Sequence, residues 1–534
     1  MTRKGSAAPQ RRECKPSGMG PPLRLADLLG GLSIVSDMGY GLPVETAMRA
    51  CLVGTALARR MDFTEEEVGH VFYVSLLLHV GCIAFSHETA VAFGDDLAVN
   101  RAAIRTNLTE VRQVFTVLIP EMTRGMQAGA RLKSAATMTT RGHAFSLAHD
   151  LASCEVARTV ARRIGLPEAV SAGLYDVHEW WNGRGVRGLR EEEIARSARV
   201  ARVATDAAVL AAIGTEDAVV AGLRRRAAKT LDPRIVDAFA ADGKNLQAEV
   251  GFGDPRTRIL EVEPAPVAEI PEADMTLIAS AFGDLVDLKM PFTHGHSAGV
   301  AALAVAAAER VRLDPLTIRQ LRVAALLHDV GRAGVSNAVW EKPGPLTTAQ
   351  WEQARMHAYH SERVMATSAT LTPMGAIAGM HHERLDASGY HRGCRGPEIS
   401  PAARVLAAAD AFQAMTQRRP HRPALVPEQA ADELARDAYA GRLDGDAVRA
   451  VLESAGRPPA RRQHELRAGG LSDREVEVLR LVAEGCTNPD IGRRLGISRR
   501  TAEHHVQHIY TKIGVSTRAA ATLFALEHDL LGGR

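Results

Sequence analysis

HDVGR at residues 328–332 opens a run of histidines and aspartates that continues through MHAYHS at 356–361, HHERLDASGYHRG at 381–393 and ARVLAAADAF at 403–412. One more histidine precedes the run, in THGHSAGV at 293–300. Imidazoles and carboxylates recur at intervals of helix length, and this mixture of ligands suits divalent iron, manganese or zinc. The candidate ligands are His296, His328, Asp329, His357, His381, His382 and Asp410.

The residues around the HDVGR histidine have the apolar spacing of a buried helix. Val323, Leu326, Leu327 and Val330 repeat at i, i+3, i+4 and i+7. An ionisable pair at the end of such a helix costs free energy unless it is paired or binds a metal ion. A lone histidine is more often a packed or surface residue. The interpretation as a metal site therefore rests on the whole pattern.

Residues 275–440 resemble the HD-GYP branch of the HD superfamily of metal-dependent phosphohydrolases. The matching segments are HDVGR, KPGPLT at 342–347, HHERLDASGYHRG and RRPHRPA at 418–424. The resemblance implies an all-α fold with a di-iron, di-manganese or trinuclear metal site. It also implies a cyclic dinucleotide as the substrate, cyclic di-GMP or a related compound.

The resemblance also implies a role for each residue. Asp329 would bridge the two ions, with His296, His328 and Asp410 on one side and His357, His381 and His382 on the other. The catalytic residues would be Asp329 and Arg332, the arginine neutralising charge that develops on the phosphate. Substrate would bind at Gly389, Tyr390 and Arg392, although ordinary turn chemistry explains the glycine equally well.

Three departures from the family pattern bear on activity. Arg332 replaces a lysine, and a guanidinium is a fixed planar fork that cannot donate a proton. His391 replaces the proline of the GYP triplet, and Phe292 stands where members with three metal ions carry a glutamate. We therefore expect two ions, and a second interpretation stays open: a sensor that binds metal and nucleotide without hydrolysis. A third option is hydrolysis of nucleoside phosphates, which the KPG and HHE segments disfavour.

Composition sets broad limits on the kind of protein. A chain of 534 residues predicts about three domains. The formal charge of +3 does not by itself require nucleic acid or a membrane, so any DNA-binding surface must be local. The six cysteines are scattered without a C-x-x-C pair, which fits a reducing cytoplasm. No apolar run approaches the roughly 20 residues of a membrane span, so we expect no membrane partner.

The region 21–250 reads as a degenerate copy of the region that follows. HVGC at 79–82 parallels HDVG at 328–331, and LYDVHEWWNGRG at 174–185 parallels GMHHERLDASGY at 379–390. Glu179 precedes Asp206 by 27 residues, and Glu383 precedes Asp410 by the same number, which indicates an internal repeat. The aspartate of the dyad is Val80 here, so the bridging carboxylate is missing.

Two interpretations of this copy remain open. His79, His149, His178 and Asp206 could survive as ligands, but two-metal chemistry needs the missing bridge, so a non-catalytic copy is favoured. The histidines would then be satisfied core residues or part of a regulatory ligand pocket. Trp180 and Trp181 could stack on a base there, although tryptophans in helical domains are more often core residues.

Segments rich in proline, glycine or charged residues predict the limits of the domains. Residues 1–20 read as a disordered tail, 251–274 as a Pro-spaced linker and 456–468 as a basic linker. They separate 21–250 from the HD-GYP-like domain at 275–455 and from a C-terminal domain at 469–534. The fold prediction is all-α: two tandem HD-like domains followed by a small four-helix domain.

The C-terminal segment has the layout of a helix-turn-helix. Ser472 and Glu475 form a capping box, Gly496 supplies a turn, and Ser498 caps a helix predicted at 499–513. The segment resembles the LuxR/GerE family over its whole length. By that resemblance Glu503, His504 and Gln507 face base edges in the major groove, while Arg499, Arg500, Thr501, His505 and Lys512 meet phosphate. Family members usually bind inverted half-sites as homodimers.

The sequence thus predicts a metal-dependent, HD-GYP-like phosphodiesterase coupled to a LuxR-type transcriptional regulator. The alternative is a regulator whose HD-GYP-like region only senses its ligand.

Overall fold

A computed structural model describes residues 23–107, 110–212, 214–251, 253–457, 471–528 and 530. The chain divides into two compact units, Met1–Pro458 and Pro459–Arg534. Both units are built from helices, with one two-stranded ladder in the first. The predicted all-α fold is confirmed.

The first half of the first unit contains twelve α-helices among its described residues, joined by 3-10 turns at Val80–Phe85 and Glu191–Glu193 and a π-helical turn at Val114–Leu118. They are α1 (Leu25–Tyr40), α2 (Thr46–Arg60), α3 (Glu65–Leu77), α4 (Ser86–Phe93), α5 (Asp96–Ile104), α6 (Val111–Gln113), α7 (Ile119–Met122), α8 (Ala128–Arg163), α9 (Glu168–Asp176), α10 (Arg196–Ala211), α11 (Glu216–Arg226) and α12 (Pro233–Gly251).

The second half continues with ten α-helices and has 3-10 turns at Val330–Gly334 and Gly396–Glu398. They are α13 (Pro255–Val262), α14 (Glu272–Asp287), α15 (His296–Arg310), α16 (Pro315–Leu327), α17 (Asn337–Trp340), α18 (Thr348–Met365), α19 (Thr372–Ala378), α20 (Pro401–Thr416), α21 (Pro427–Tyr439) and α22 (Gly445–Ser454).

The two halves begin with the same series of elements. The helices α1, α2 and α3 have 16, 15 and 13 residues, and α14, α15 and α16 have the same three lengths. A 3-10 turn follows the third helix in each series. Both α10 and α20 have 16 residues and carry the aspartates that the sequence pattern pairs. These equal lengths support the interpretation of the first half as a copy of the second.

Residues 251–274 differ from the predicted linker. Asp254 caps α13 by accepting a hydrogen bond from the Arg256 amide at 3.2 Å, and Pro255 occupies the first turn. Ile259 is buried on that helix. Farther on, strand β2 (Glu269–Ile270) pairs antiparallel with β1 (Leu23–Arg24). The proline spacing predicts a semi-rigid linker, whereas the cap by Asp254 and the burial of Pro255 and Ile259 stabilise a helix there.

One hydrophobic core runs through both halves, from Leu25 to Leu452. The halves expected as separate domains therefore form one compact unit, and their boundaries stay a prediction. The predicted tail at 1–20 and most of the basic linker at 456–468 lie outside the described residues.

The expectation about membrane spans needs correction. The stretch Glu65–Phe93 is long and apolar enough, by length and composition, to cross a membrane. In the structure it comprises α3, a 3-10 turn and α4, and 72% of its most apolar window is buried inside the protein. Its apolar side chains pack in the hydrophobic core, where α3 contacts α2, α9 and α10.

A buried ion pair joins the two halves. The Nζ of Lys289 lies 2.5 Å from Oδ2 of Asp96, and both side chains are fully buried. The other oxygen of Asp96 accepts hydrogen bonds from the Ser336 hydroxyl and the Asn337 amide, each at 2.8 Å. Every charge at this contact therefore has a partner, as burial requires.

The substitution Lys289→Ala should lower the free energy of unfolding of the first unit by about 3–5 kcal/mol, because it leaves the Asp96 carboxylate buried without its cation. Urea unfolding followed by tryptophan fluorescence measures this unit alone, since all four tryptophans lie in it. The control is Arg319→Ala, which breaks an exposed pair with Glu272 and should cost less than about 1 kcal/mol. Equal losses for both variants would contradict the role given to the buried pair.

Candidate functional site

The seven predicted ligands come from five helical elements that meet in the second half. His296 is the first residue of α15, and His328 with Asp329 directly follows α16. His357 lies in α18. The adjacent histidines at 381 and 382 follow α19, and α20 carries the last aspartate of the set. The apolar spacing before HDVGR is confirmed as a buried helix, which ends at Leu327.

Asp329 lies at the centre of the cluster. Its Oδ2 is 3.1 Å from His328 Nε2 and 3.4 Å from His296 Nε2. Its Oδ1 is 3.4 Å from His357 Nε2 and 3.6 Å from His381 Nε2. The two carboxylate oxygens therefore face two different pairs of imidazoles, which is the arrangement a bridging ligand needs.

The second carboxylate, Asp410, completes one of two ligand groups. Its Oδ1 lies 3.2 Å from His296 Nε2 and 3.7 Å from His328 Nε2. Its Oδ2 lies 3.9 Å from His382 Nδ1. Ligand atoms within 4.8 Å of one another form the groups His296, His328, Asp410 and His357, His381, His382, with a third formed by His328, Asp329 and His381.

Hydrogen bonds at the far side of each ring orient the imidazoles. His328, His357 and His381 each donate from Nδ1 to the carbonyl three residues earlier, at 2.8, 2.5 and 2.7 Å. His296 donates from Nδ1 to the side-chain oxygen of Gln417 at 3.0 Å. Each ring therefore turns its Nε2 towards the centre, as second-sphere bonds do in metal sites.

The site holds polar atoms that protein groups leave unsatisfied. The buried atoms that form no hydrogen bond are His296 Nε2, His328 Nε2, both Asp329 oxygens and Asp410 Oδ1, whose contacts with one another and with Arg332 are ion pairs only. Buried groups of this kind cost free energy unless they bind metal or find a partner. This donor set fits two divalent cations of the iron or manganese type.

Burial and neighbouring carboxylates shift the pKa values of the histidines in the cluster in opposite directions. Burial lowers the pKa of His357 to about 4 and that of His381 to about 3, so both rings are neutral and able to ligate. Burial opposes protonation of His328 as well, but the carboxylates of Asp329 and Asp410 outweigh it and raise its pKa to about 10. The two buried carboxylates thus draw positive charge to the centre.

Arg332 contacts the central carboxylate directly. Its Nη2 lies 2.8 Å from Oδ2 of Asp329, and its guanidinium packs over the Trp340 ring at 5.4 Å. The predicted role in neutralising phosphate charge requires the side chain to reach substrate. In this structure the guanidinium is paired with the bridging residue itself.

The segment predicted to bind substrate forms a loop held by Glu383. Its buried carboxylate accepts the Arg392 amide at 2.7 Å and the Cys394 amide at 2.9 Å. Tyr390 is brought against the centre, with its ring 4.7 Å from that of His382. Of the predicted substrate residues, Tyr390 is therefore the one that lines the cluster.

The other two predicted substrate residues contact protein groups. The Arg392 guanidinium is paired with Glu362. A Cβ added at Gly389 would lie 2.4 Å from the Arg384 amide nitrogen. The glycine is thus required by the close packing of the loop on its own backbone, which favours the turn interpretation.

Two residues near the centre escaped the sequence prediction. Gln417 orients His296, and Arg419 donates to the Gln417 side-chain oxygen at 3.3 Å. The Arg419 guanidinium lies 5.4 Å from the Phe292 ring, and burial lowers its pKa to about 10. The RRPHRPA segment that carried the resemblance contains this arginine, so the signal was present in the sequence.

The corresponding positions of the first half are occupied differently. Asp206, which corresponds to Asp410, pairs with Arg226 at 2.7 Å and with Arg202 at 3.5 Å. Among the residues that the structure describes, all groups able to hold a metal ion lie in the second half. Arginine cations thus take the place of metal beside the surviving aspartate.

The second unit contains the four predicted helices, α23 (Asp473–Ala483), α24 (Asn488–Leu495), α25 (Arg499–Ile513) and α26 (Arg518–Glu527). Gly496 ends α24 in the left-handed conformation with φ of 66°. Ser498 then caps α25 by accepting from the Thr501 amide at 3.1 Å. Buried Ala502, Val506 and Ile509 hold α25 on the small core.

The opposite face of α25 carries the residues predicted to contact DNA. The exposed ones are Arg499, Arg500, Thr501, His504, Gln507 and Lys512, while Glu503 and His505 are half-buried. Arg499 pairs with Glu503 at 3.0 Å, and Lys512 pairs with Glu475 at 2.8 Å. To contact a DNA phosphate, Lys512 would have to give up its ion pair with Glu475.

Each of the two units contains a segment that matches a known protein family. The HD domain family matches residues 280–447, and the family of bacterial regulatory proteins, luxR family, matches residues 470–525. The predicted pair of an HD domain and a LuxR-type helix-turn-helix is thus confirmed.

Curated relatives extend the match. The 3′3′-cGAMP-specific phosphodiesterase 3 of Vibrio cholerae is 29% identical over 411 residues, which cover 76% of this chain and 89% of the relative. The cyclic di-GMP phosphodiesterase of Thermotoga maritima is 35% identical over 153 residues, 28% of this chain and 41% of the relative. The longer alignment reaches into the first half, because the residues from 275 onwards are too few to hold it.

A solved structure shares the fold. The crystal structure of a cyclic GMP-AMP specific phosphodiesterase from V. cholerae superposes with a TM-score of 0.57 at 24% identity. It covers 82% of this chain and 98% of the other.

Replacing Asp410 by Asn should reduce the metal content of the purified protein, because one ligand group loses its carboxylate. Elemental analysis after reconstitution with manganese or anaerobic iron measures the ions bound per chain. The matched control is Asp206→Asn, which alters the corresponding aspartate of the first half. Equal metal loss in both variants, or none in either, would contradict the placement of the ions in the second half.

On the DNA-binding face, Arg500→Ala should weaken binding to all sequences alike and reduce the slope of log affinity against log salt by about 1. Gln507→Ala should instead lose about 1–3 kcal/mol on the preferred site only. Both are measured by fluorescence anisotropy, with a preferred duplex selected from random DNA and a shuffled duplex for comparison. A uniform loss for both variants would mean that α25 does not read bases.

Proposed function

We propose that this chain, which joins an HD domain to a LuxR-family regulatory domain, hydrolyses a phosphodiester bond of a cyclic dinucleotide and controls DNA binding. The observation that carries the proposal is the central carboxylate, whose two oxygens face two separate pairs of buried imidazoles. The relatives that act on 3′3′-cGAMP or cyclic di-GMP support that class of substrate.

The seven ligands would hold two divalent ions, with Asp329 as the bridge. Such ions, when bound, act as Lewis acids towards phosphoryl oxygens and lower the pKa of water. The protein supplies the rest of the site. The main-chain carbonyls that accept from Nδ1 fix the imidazole tautomers, and Gln417 does the same for His296.

The open side of the centre determines what can approach it. His382 and Tyr390 are partly exposed there, with ring centroids 4.7 Å apart and ring planes tilted by 30°. An aromatic ring at that point can hold a nucleobase or ribose of the substrate. Arg332 and Arg419 supply positive charge that stabilises an anionic phosphate as negative charge develops on its oxygens.

One observation favours a second function. Arg332 forms an ion pair at 2.8 Å with the carboxylate that a metal pair requires. If the guanidinium keeps that position, the centre holds charge balance without a full set of metal ions. The chain would then bind the nucleotide as a signal and pass the change to DNA without hydrolysis.

The helix-turn-helix of the second unit indicates two further partners, DNA and a second copy of the chain. We infer that two copies bind inverted half-sites on DNA, as a helix-turn-helix presented by a symmetric dimer does. The cytoplasm is the compartment that offers both DNA and cyclic dinucleotides. Its reducing conditions fit the free thiols of Cys51, Cys82, Cys154, Cys394 and Cys486.

The full-length protein, loaded anaerobically with iron or with manganese, should convert 3′3′-cGAMP or cyclic di-GMP into the linear dinucleotide, as measured by chromatography. Asp329→Asn should abolish this conversion, and Arg332→Ala should slow it by about 10²- to 10³-fold. Arg332→Lys should retain more activity, since it keeps the cation. Asp206→Asn is the matched control and should turn over normally.

Two further outcomes would test these functions, the first by separating the sensor from the enzyme and the second by removing both. Tight binding of a cyclic dinucleotide that stays intact after long incubation would establish the sensor and remove the enzyme. Neither binding nor turnover of either compound would sink both.

A further inference from the structure

A cavity of about 340 Å³ lies in the first half, at the position that corresponds to the metal cluster of the second. His79, His178 and Asp206 line it, and they correspond to His328, His382 and Asp410. Sites for small molecules have volumes of roughly 300–1,000 Å³. The cavity is therefore at the compact end of that range, large enough for one aromatic ring system with substituents.

The charged side chains in the cavity wall balance one another. Arg202 and Arg226 pair with Asp206, and Asp150 lies 3.1 Å from Nδ1 of His149. Two guanidinium groups beside one carboxylate repel a metal cation, and no group of metal-ligand atoms is found among the described residues of this half. The balanced charges of the cavity wall therefore favour an uncharged ligand over an ion.

Two buried imidazoles offer complementary hydrogen-bonding atoms. His149 donates from Nδ1 to Asp150, so its Nε2 is an acceptor. Arg202 lies 3.4 Å from Nδ1 of His178 and can only donate, so the Nε2 of His178 carries the proton. Both Nε2 atoms lack a partner, although the residues are only 8% and 6% exposed. The Thr205 hydroxyl is buried without a partner as well.

Aromatic rings complete the wall. The Tyr40 ring stacks on His79 at 5.0 Å and on His149 at 5.9 Å. Phe145 and Trp180 also line the cavity. Flat aromatic surfaces of this kind stack favourably on planar heterocycles.

We propose that this cavity binds an uncharged, planar heteroaromatic compound of nucleobase size. The compound presents one acceptor to His178 and one donor to His149, forms a hydrogen bond with the Thr205 hydroxyl and stacks on the aromatic wall. The charge balance disfavours a phosphorylated nucleotide, and the volume disfavours a cyclic dinucleotide with its two bases, two riboses and two phosphates. The site is separate from the metal cluster and does not depend on the function proposed for it.

The test is isothermal titration calorimetry on the full-length protein with adenine, guanine, hypoxanthine, xanthine, cytosine and uracil. Guanosine monophosphate, 3′3′-cGAMP and manganese chloride are the charged comparators, used with Asp329→Asn protein so that the metal cluster contributes less. We expect at least one free base to bind once per chain, with a dissociation constant below 1 mM, the highest concentration tested.

Two variants place that binding in the cavity. Thr205→Val keeps the shape and removes one hydroxyl, and it should weaken binding about 5- to 10-fold. His178→Phe should abolish it. The matched control is Thr55→Val, another buried threonine of the first half whose hydroxyl has no partner but which lies outside the cavity. It should bind as the unmodified protein does.

Several results would overturn the proposal. They are no binding of any free base up to 1 mM, base binding that Thr205→Val leaves unchanged, and a requirement for phosphate on the ligand. Binding of manganese that disappears in Asp206→Asn would likewise assign the site to a metal ion. Because Thr205→Val alters one atom, it remains decisive if His178→Phe fails to fold.

Discussion

Two carboxylates buried in the centre of a helical core determine which side chains surround the site in the second half. Asp329 and Asp410 are 2% and 3% exposed, and their charges cannot stay there without nearby positive charge. Imidazoles turned inwards by main-chain carbonyls, the Arg332 guanidinium and the protonated ring of His328 all gather around them. The same need that collects these groups makes the cluster fit for divalent ions.

The first half opens with helices of the same lengths as those of the second but lacks the central aspartate. Val80 stands in place of the central aspartate, and arginines neutralise the one aspartate that remains. Removing a buried charge removes the need for a cation, so the space becomes a cavity with balanced charges. Loss of metal ligands and gain of a ligand-sized cavity are thus two results of one substitution pattern.

The two halves are also bound closely to each other. Gly39 of α1 lies between the two 3-10 turns, since a Cβ there would be 2.5 Å from Ile83 and 3.5 Å from Ala333. The first of these turns follows His79 and the second follows Asp329. With the buried pair of Lys289 and Asp96, this packing makes the first unit one body. The helix α1 therefore contacts both of the turns that follow the two sites.

The sequence by itself determined the all-α class, the buried helix before HDVGR, the helix caps at Ser472 and Ser498 and the seven candidate ligands, because these depend on local spacing: apolar periodicity, a serine or glycine at a helix end, and motifs of adjacent histidines and aspartates. It also determined both families, since their motifs are continuous in the chain. Tertiary structure alone decided that Arg332 pairs with Asp329, that Gln417 orients a histidine 121 residues earlier and that residues 255–262 form a helix packed on the core. Those outcomes depend on which distant groups meet after folding, and neither periodicity nor spacing along the chain specifies that meeting.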